Sequence, residues 1–161
     1  MHINTMLEID IPGFGPVILE HLVSDFTGTL SVGGRLLPAV KEHLNRIAEF
    51  LKVHILTADT FSMACAELKD VNCIIQILSG DDHDIQKEEY IRRLGAKHVV
   101  TFGNGKNDRR MLKAARIGIA VSEGEGCAVD ALMASDIHVR SAIDGLNLLL
   151  NPKRCKATLR F

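Results

Sequence analysis

The chain has no tryptophan and a single tyrosine, Tyr90, and aromatic residues make up 4% of it. So few flat side chains leave little with which to stack single-stranded bases or to form an aromatic belt at a membrane interface. Neither sign of charge dominates, since 19 Lys and Arg stand against 20 Asp and Glu for a formal net charge of −1. No global field therefore draws in nucleic acid or an anionic membrane surface. The four cysteines, Cys65, Cys73, Cys127 and Cys155, form no C-x-x-C pair and no zinc-finger spacing with histidine, so reduced and mostly buried thiols are expected. No apolar run has the length of a membrane span. Residues 1–16 carry Glu8 and Asp10 and lack a basic segment followed by an apolar one, so no secretory leader is read there. A cytoplasmic protein with no nucleic-acid partner and no membrane partner is expected.

With 161 residues, 47% of them hydrophobic, the chain has material for one well-buried core and too little for two ordinary domains. It shows no repeat of fixed period and no linker rich in Pro, Gly or Ser, so residues 1–161 are read as one domain. Residues 6–11 alternate apolar and polar side chains, Pro12-Gly13-Phe14-Gly15 interrupts them, and 17–25 resumes as an apolar strand. That pattern reads as an N-terminal β-hairpin extension over residues 1–19, with the second arm running on to an acid. Turn chemistry at 31–35 precedes Pro38, which suits the first turn of a helix whose apolar face is Val40, Leu44, Ile47, Ala48 and Leu51. The alternation then continues with strands over 53–56, 73–78, 98–102, 117–121 and 137–139, and helices over 61–68, 85–94, 108–115, 128–134 and 142–149. Short apolar strands alternating with amphipathic helices predict an α/β fold with a doubly wound, Rossmann-like parallel sheet, whose ligand crevice lies beyond the carboxyl ends of the strands.

Four of those strand ends carry polar clusters: Asp25-Phe26-Thr27-Gly28-Thr29, Thr57-Ala58-Asp59, Ser79-Gly80-Asp81-Asp82, and Gly103-Asn104-Gly105-Lys106-Asn107-Asp108. Asp25 in particular closes an apolar strand and faces a loop rich in backbone N–H donors and hydroxyls, an environment suited to phosphate. Taken in order and spacing, Ser24-Asp25-Phe26-Thr27-Gly28-Thr29-Leu30, Leu56-Thr57-Ala58-Asp59, Lys87 and 103–108 resemble the four motifs of the haloacid dehalogenase superfamily. The ordered set carries the resemblance, and it covers most of the chain. In its details it is similar to the phosphorylation domain of P-type ATPases. Their signature reads Asp-Lys-Thr-Gly-Thr, and Leu56 to Thr60 and Gly118-Ile119-Ala120-Val121 match further segments of that subgroup.

The resemblance implies a phosphohydrolase in which Asp25 attacks phosphorus and forms an aspartyl phosphate, dividing one difficult displacement into two. It implies that Thr57 binds the transferring phosphoryl group and that the Lys87 ammonium offsets the repulsion between carboxylate and phosphoryl oxygens. It implies Mg²⁺ as cofactor, bridging Asp25 and the phosphoryl oxygen, with the Thr27 backbone carbonyl as a further ligand. Two positions depart from the family. Asn104 stands where a ligand aspartate is usual, so weaker metal binding is expected, with Asp108 becoming the second carboxylate able to hold the ion directly or through water and Asn107 orienting the loop. Thr27 stands where most phosphatases of the superfamily carry an aspartate that acts as general acid and base. A hydroxyl shuttles that proton poorly, so acyl phosphates and anhydrides are the expected substrates and the aspartyl phosphate is expected to hydrolyse slowly.

No cap domain is read at either usual insertion point, and no nucleotide-binding domain stands between the first two motifs. An open site is therefore expected, serving a bulky phosphorylated substrate or closed by a neighbouring subunit of a homo-oligomer, with the N-terminal hairpin as the candidate for closure. Asp81, Asp82 and Asp84 are read as acids capping the helix that follows rather than as a metal site. Gly124-Glu125-Gly126 is read as a plain turn, and none of the seven histidines is assigned a catalytic role. The rival reading is a non-catalytic module that keeps the fold and binds a phosphorylated or protein partner, because both departures fall on acids central to metal-dependent turnover. A phospho-acceptor receiver module shares the logic of a strand-end aspartate, but the glycine-containing loop at 103–108 speaks against it.

Overall fold

Six strands form one parallel sheet in the order β10-β9-β8-β3-β6-β7 in the computed structural model, which describes residues 5–59 and 62–161. Its strands are β3 (His21–Asp25), β6 (Lys52–Thr57), β7 (Ile74–Ile77), β8 (Val99–Gly103), β9 (Ile117–Val121) and β10 (Ile137–Val139). Every residue of β3, β8 and β9 is buried. Central strands of a parallel sheet are covered on both faces, which is why they read as continuous apolar runs instead of alternating ones.

One face of the sheet packs Leu22, Val53, Ile55, Val100, Phe102, Ile117 and Ile119 against α1 (Val40–Ile47) and α6 (Ala142–Leu150), with Cys155 of α7 (Pro152–Leu159) in the same core. Burying each such side chain contributes about 1.5–3 kcal/mol. The other face packs Val23, Leu56 and Val99 against Ile91 of α3 (His83–Leu94) and Met111 of α4 (Arg109–Ala114). Gly118 explains part of the Gly-Ile-Ala run: a Cβ there would collide with the carbonyl oxygen of Leu112, so its absence lets α4 lie close on β9. The remaining helices are α2 (Met63–Glu67) and α5 (Val129–Ala134). The start of the expected 61–68 helix at Phe61 lies outside the described residues, as does Thr60.

From β3 the chain moves outward through β6 to β7, then returns through α3 to β8 on the opposite flank of β3. The order therefore reverses beside β3, and the crevice at such a switch point is where open α/β sheets hold ligands.

The N-terminal arm divides at Glu20. β1 (Leu7–Ile11) and β2 (Gly15–Leu19) pair antiparallel as a separate hairpin, while β3 enters the main sheet. The hairpin buries Ile9, Ile11, Val17 and Leu19 in this chain's own core, and it leads into the amino end of β3. Its apolar face is used within this chain, and it lies at the end of β3 opposite the candidate site, so it does not close this chain's own site. Two elements exceed the expectations. The turn at 31–35 is the tip of a small hairpin, β4 (Ser31–Val32) with β5 (Arg35–Leu36), and α7 follows Asn151 with Pro152 at its first position.

Candidate active site

Strand register decides which side chains meet. Asp25 pairs with Leu56, so Thr57 lies one residue beyond it on the neighbouring strand; Ser24 pairs with Phe102, so Gly103 opens the loop on the other side. After Asp25 the backbone turns sharply. The carbonyl of Phe26 accepts from the N–H groups of Leu30 and Ser31 at 3.0 and 3.1 Å and from the Ser31 hydroxyl at 3.0 Å. Gly28 sits in this turn with φ +80°, and a Cβ there would run into the Asn104 side chain. Both the backbone conformation and the approach of the 103–108 loop require glycine.

Lys87 projects from α3 beneath this turn and is 2% exposed. Its ammonium donates to Asp25 Oδ1 at 3.0 Å and to Asp108 Oδ1 at 2.7 Å, with Asn107 Oδ1 at 3.5 Å as a weaker third partner. Burial works against that charge, but Asp25 and Asp108 outweigh it and hold the ammonium above the ordinary lysine range. Asp108 has no exposed surface. Its second oxygen accepts from the backbone N–H groups of Asn104 and Gly105 at 3.0 and 2.9 Å, so this carboxylate ties the loop to Lys87. The structure thus places Asp108 differently from the expectation of a second metal-facing carboxylate: it lies behind the ammonium with three donors upon it.

Two carboxylates against one ammonium leave a net negative charge in a dehydrated place. Burial, followed by the charge of Asp108, pushes the Asp25 carboxyl from its ordinary 3.8 up to about 7, and Lys87 and Thr29 pull it back only in part. The Asp25 side chain retains 12% of its surface, enough to meet a ligand from the pocket.

Thr29, left out of the sequence-derived site, is fully buried beside it. Its hydroxyl lies 3.1 Å from Asp25 Oδ2 and 3.1 Å from Asn104 Oδ1, and having one proton it donates to one of them at a time. Asn104 is held in turn by the Gly126 carbonyl, which accepts from Nδ2 at 3.1 Å. That bond fixes which end of the amide is nitrogen and leaves the oxygen on the Thr29 side. The 124–126 turn therefore positions a site residue, a role no local sequence signal showed.

The pocket above these groups has a volume of about 510 Å³ and is lined by Asp25, Thr27, Thr57, Asp59, His83, Lys87, Asn104 and Asn107 on its polar side. Gly33 and Gly34 at the tip of the β4–β5 hairpin, with Met63 and Ala64 of α2, form an apolar wall. The expected open site is thus bordered on this side by residues of the β4–β5 hairpin and α2. All the predicted site residues except Asp108 line it; Asp108 supports it from behind. Thr57 also accepts from the Asp59 N–H at 3.1 Å. The acids at the start of α3 do not cap the helix through their side chains: Asp82 Oδ1 accepts from Gln86 at 2.7 Å and Asp84 pairs with Arg109 at 3.0 Å.

A divalent cation is testable against these residues. The pocket offers oxygen donors in Asp25, Asn104 and Thr27, which suit a hard ion, and the net negative charge of the buried triad is relieved by a cation. Among the described residues no group of three or more His, Cys, Asp or Glu is placed to hold a metal. The residues present fit a magnesium-like ion with one charged ligand.

A strand-end carboxylate and a buried lysine thus meet at a pocket on the sheet's switch point. The sequence profile of haloacid dehalogenase-like hydrolases matches residues 83–132, the stretch holding Lys87 and the 103–108 loop. An uncharacterized protein of Methanocaldococcus jannaschii is 42% identical over 73 residues, which are 45% of this chain and 78% of that protein. A probable copper-exporting P-type ATPase of Archaeoglobus fulgidus is 39% identical over 95 residues, 58% of this chain and 11% of the ATPase. Among solved structures, 3-deoxy-D-manno-octulosonate 8-phosphate phosphatase from Moraxella catarrhalis, in complex with magnesium, phosphate and KDO, superposes with a TM-score of 0.68 at 18% identity, over 83% of this chain and 86% of that one. The chain belongs to the haloacid dehalogenase-like hydrolases, and within them it is a capless domain resembling the phosphorylation domain of P-type ATPases. Among the described residues no helix is long and apolar enough to cross a membrane.

Proposed function

We propose that this chain is a phosphohydrolase that works through an aspartyl phosphate on Asp25. The observation that carries the reading is the Asp25 carboxylate itself, held between Lys87 and Thr29 and still reachable from the pocket. In the first step a carboxylate oxygen of Asp25 attacks phosphorus, the bond from phosphorus to the leaving oxygen breaks, and the leaving group departs with the electron pair. In the second, water attacks phosphorus, the bond to Asp25 breaks, and inorganic phosphate leaves.

Lys87 supplies a fixed positive charge beside the entering phosphoryl group without needing to reorganise, and Asp108 keeps it there through the 2.7 Å contact. Thr57, on the neighbouring strand end, donates its hydroxyl to a phosphoryl oxygen. Mg²⁺ is the proposed cofactor, held by Asp25, Asn104 and the Thr27 backbone carbonyl; when bound it neutralises charge on the phosphoryl oxygens. The magnesium and phosphate present with the Moraxella phosphatase support that choice.

Thr27 cannot protonate a poor leaving group, so acyl phosphates and anhydrides are the proposed substrates. A small phosphorylated compound fits the pocket, and the apolar wall of Met63 and Ala64 suits a substrate with some apolar character. The setting proposed is cytoplasmic. Phosphate release from acetyl phosphate and from an alkyl phosphate tests this reading. Release from acetyl phosphate that is faster than from the alkyl ester, needs Mg²⁺ and vanishes in Asp25→Asn is expected. No release from either compound favours a phosphate-binding module without turnover, the reading to which the uncharged Asn104 and Thr27 point.

A further inference from the structure

Hydrolysis of an aspartyl phosphate needs a group to take a proton from the attacking water, and most of the polar residues that line the pocket are unable to do so. Asp25 is itself the ester at that stage. Lys87 keeps its proton against two carboxylates. Asp59 turns its carboxylate to the backbone N–H groups of Ala64 and Cys65 at 2.7 and 3.4 Å, where it closes the start of α2. The hydroxyls of Thr27 and Thr57 and the amides of Asn104 and Asn107 are not bases near neutral pH.

His83 is the remaining protonatable side chain among the described residues that line the pocket. It is half-buried at the start of α3, one turn before Lys87. Residues four apart share a helix face, so the helix that delivers the ammonium to Asp25 also delivers the imidazole. No hydrogen bond to the described residues engages either ring nitrogen, whereas the rings of His21, His43, His54, His98 and His138 are each bonded. The absence of any pairing at ligand spacing in the sequence gave no reason to single it out.

We infer that His83 is the general base for dephosphorylation, accepting the water proton as the water oxygen bonds to phosphorus. The electron pair of the breaking phosphorus–oxygen bond returns to Asp25, and the imidazolium passes its proton to solvent. This rests on the phosphohydrolase reading. The charged groups of this region are Asp81, Asp82 and Asp84 on the same segment, Arg109 held by Asp84, and Lys87, Asp25 and Asp59 among the other residues that line the pocket.

The test uses the whole chain, wild type and the variants His83→Gln and His83→Asn, loaded with acetyl phosphate and Mg²⁺, freed of excess reagent, and followed by acid-quenched intact mass between pH 5.5 and 8.5. Both variants are expected to form the adduct as the wild type does, which also reports an intact site. They are expected to lose it about 100-fold more slowly, with a pH profile flatter than the wild type's, and free imidazole is expected to restore part of the rate. Wild-type decay in both variants, or an unchanged pH profile, overturns the assignment of His83 alone. No adduct in any protein overturns the phosphohydrolase reading and this assignment with it.

Discussion

Replacing the proposed nucleophile is expected to make the protein more stable. Asp25 is 8% exposed, shares one ammonium with the fully buried Asp108, and has its carboxyl raised from 3.8 to about 7, first by burial and then by Asp108. A carboxyl whose pKa is higher folded than unfolded stabilises the fold fully below the unfolded value and loses that contribution as pH rises through the folded one. The loss therefore runs from about pH 4 to about pH 7, and the difference between the two values corresponds to about 4 kcal/mol. Local rearrangement in the variant recovers only part of it, so Asp25→Asn is expected to gain about 1–3 kcal/mol at pH 8 and little at pH 4.5. Urea unfolding with a chelator present, at pH 4.5, 6, 7 and 8, reads this directly. A variant no more stable than wild type at pH 8 would refute the reasoning, because attraction from Lys87 would then exceed burial and the repulsion of Asp108.

His54 is 3% exposed, lies 3.0 Å from the His21 ring nitrogen and 2.8 Å from the Tyr90 hydroxyl, and is lowered to about 4 by burial and then by His21. Its stabilising contribution is present above about pH 6.5 and lost as pH falls through 4, so wild type is expected to lose about 2–3 kcal/mol from this group between pH 7 and 4.5; His54→Phe should be less stable at pH 7 and show a shallower fall in chemical denaturation. Asn104→Asp adds a second charge to the oxygen donors of the pocket, and calorimetry is expected to show Mg²⁺ binding about 10-fold tighter or more. Thr27→Asp supplies an acid and base where a hydroxyl stood, and alkyl-phosphate turnover is expected to rise at least 10-fold in a phosphate-release assay.

Strands buried on both faces were legible because their apolar runs are continuous, and β9 falls on the residues expected; so does the edge strand β10, whose His138 is exposed. The 53–56 strand was also readable, though it extends a residue at each end to Lys52 and Thr57. Elements that depend on a single local signal were not. The hairpin around Gly33-Gly34 shows only two residues per strand, too few for a period, and α7 has Cys155 as its one fully buried side chain, so its pattern barely departs from a polar loop. The division of the 17–25 strand at Glu20 follows from its two ends pairing with different partners, β1 and β6, which no reading along the chain reveals.

Within the site, Asp25, Thr57 and Lys87 were readable because each stands at a strand end or at a motif spacing. The role of Asp108 was not, since whether a carboxylate faces a pocket or lies behind a lysine depends on two backbone N–H groups and an ammonium 21 residues away. Thr29 and Gly126 escaped for a similar reason: their importance comes from contacts with Asn104 across the loop.

The central claim is that Asp25 carries a phosphoryl group, and acid-quenched intact mass after incubation with acetyl phosphate and Mg²⁺ tests it most directly. The account predicts an adduct of one phosphoryl group that requires the cation, is absent from Asp25→Asn and maps to the peptide containing Asp25. An adduct that persists in Asp25→Asn, or no adduct together with no phosphate release, would contradict it.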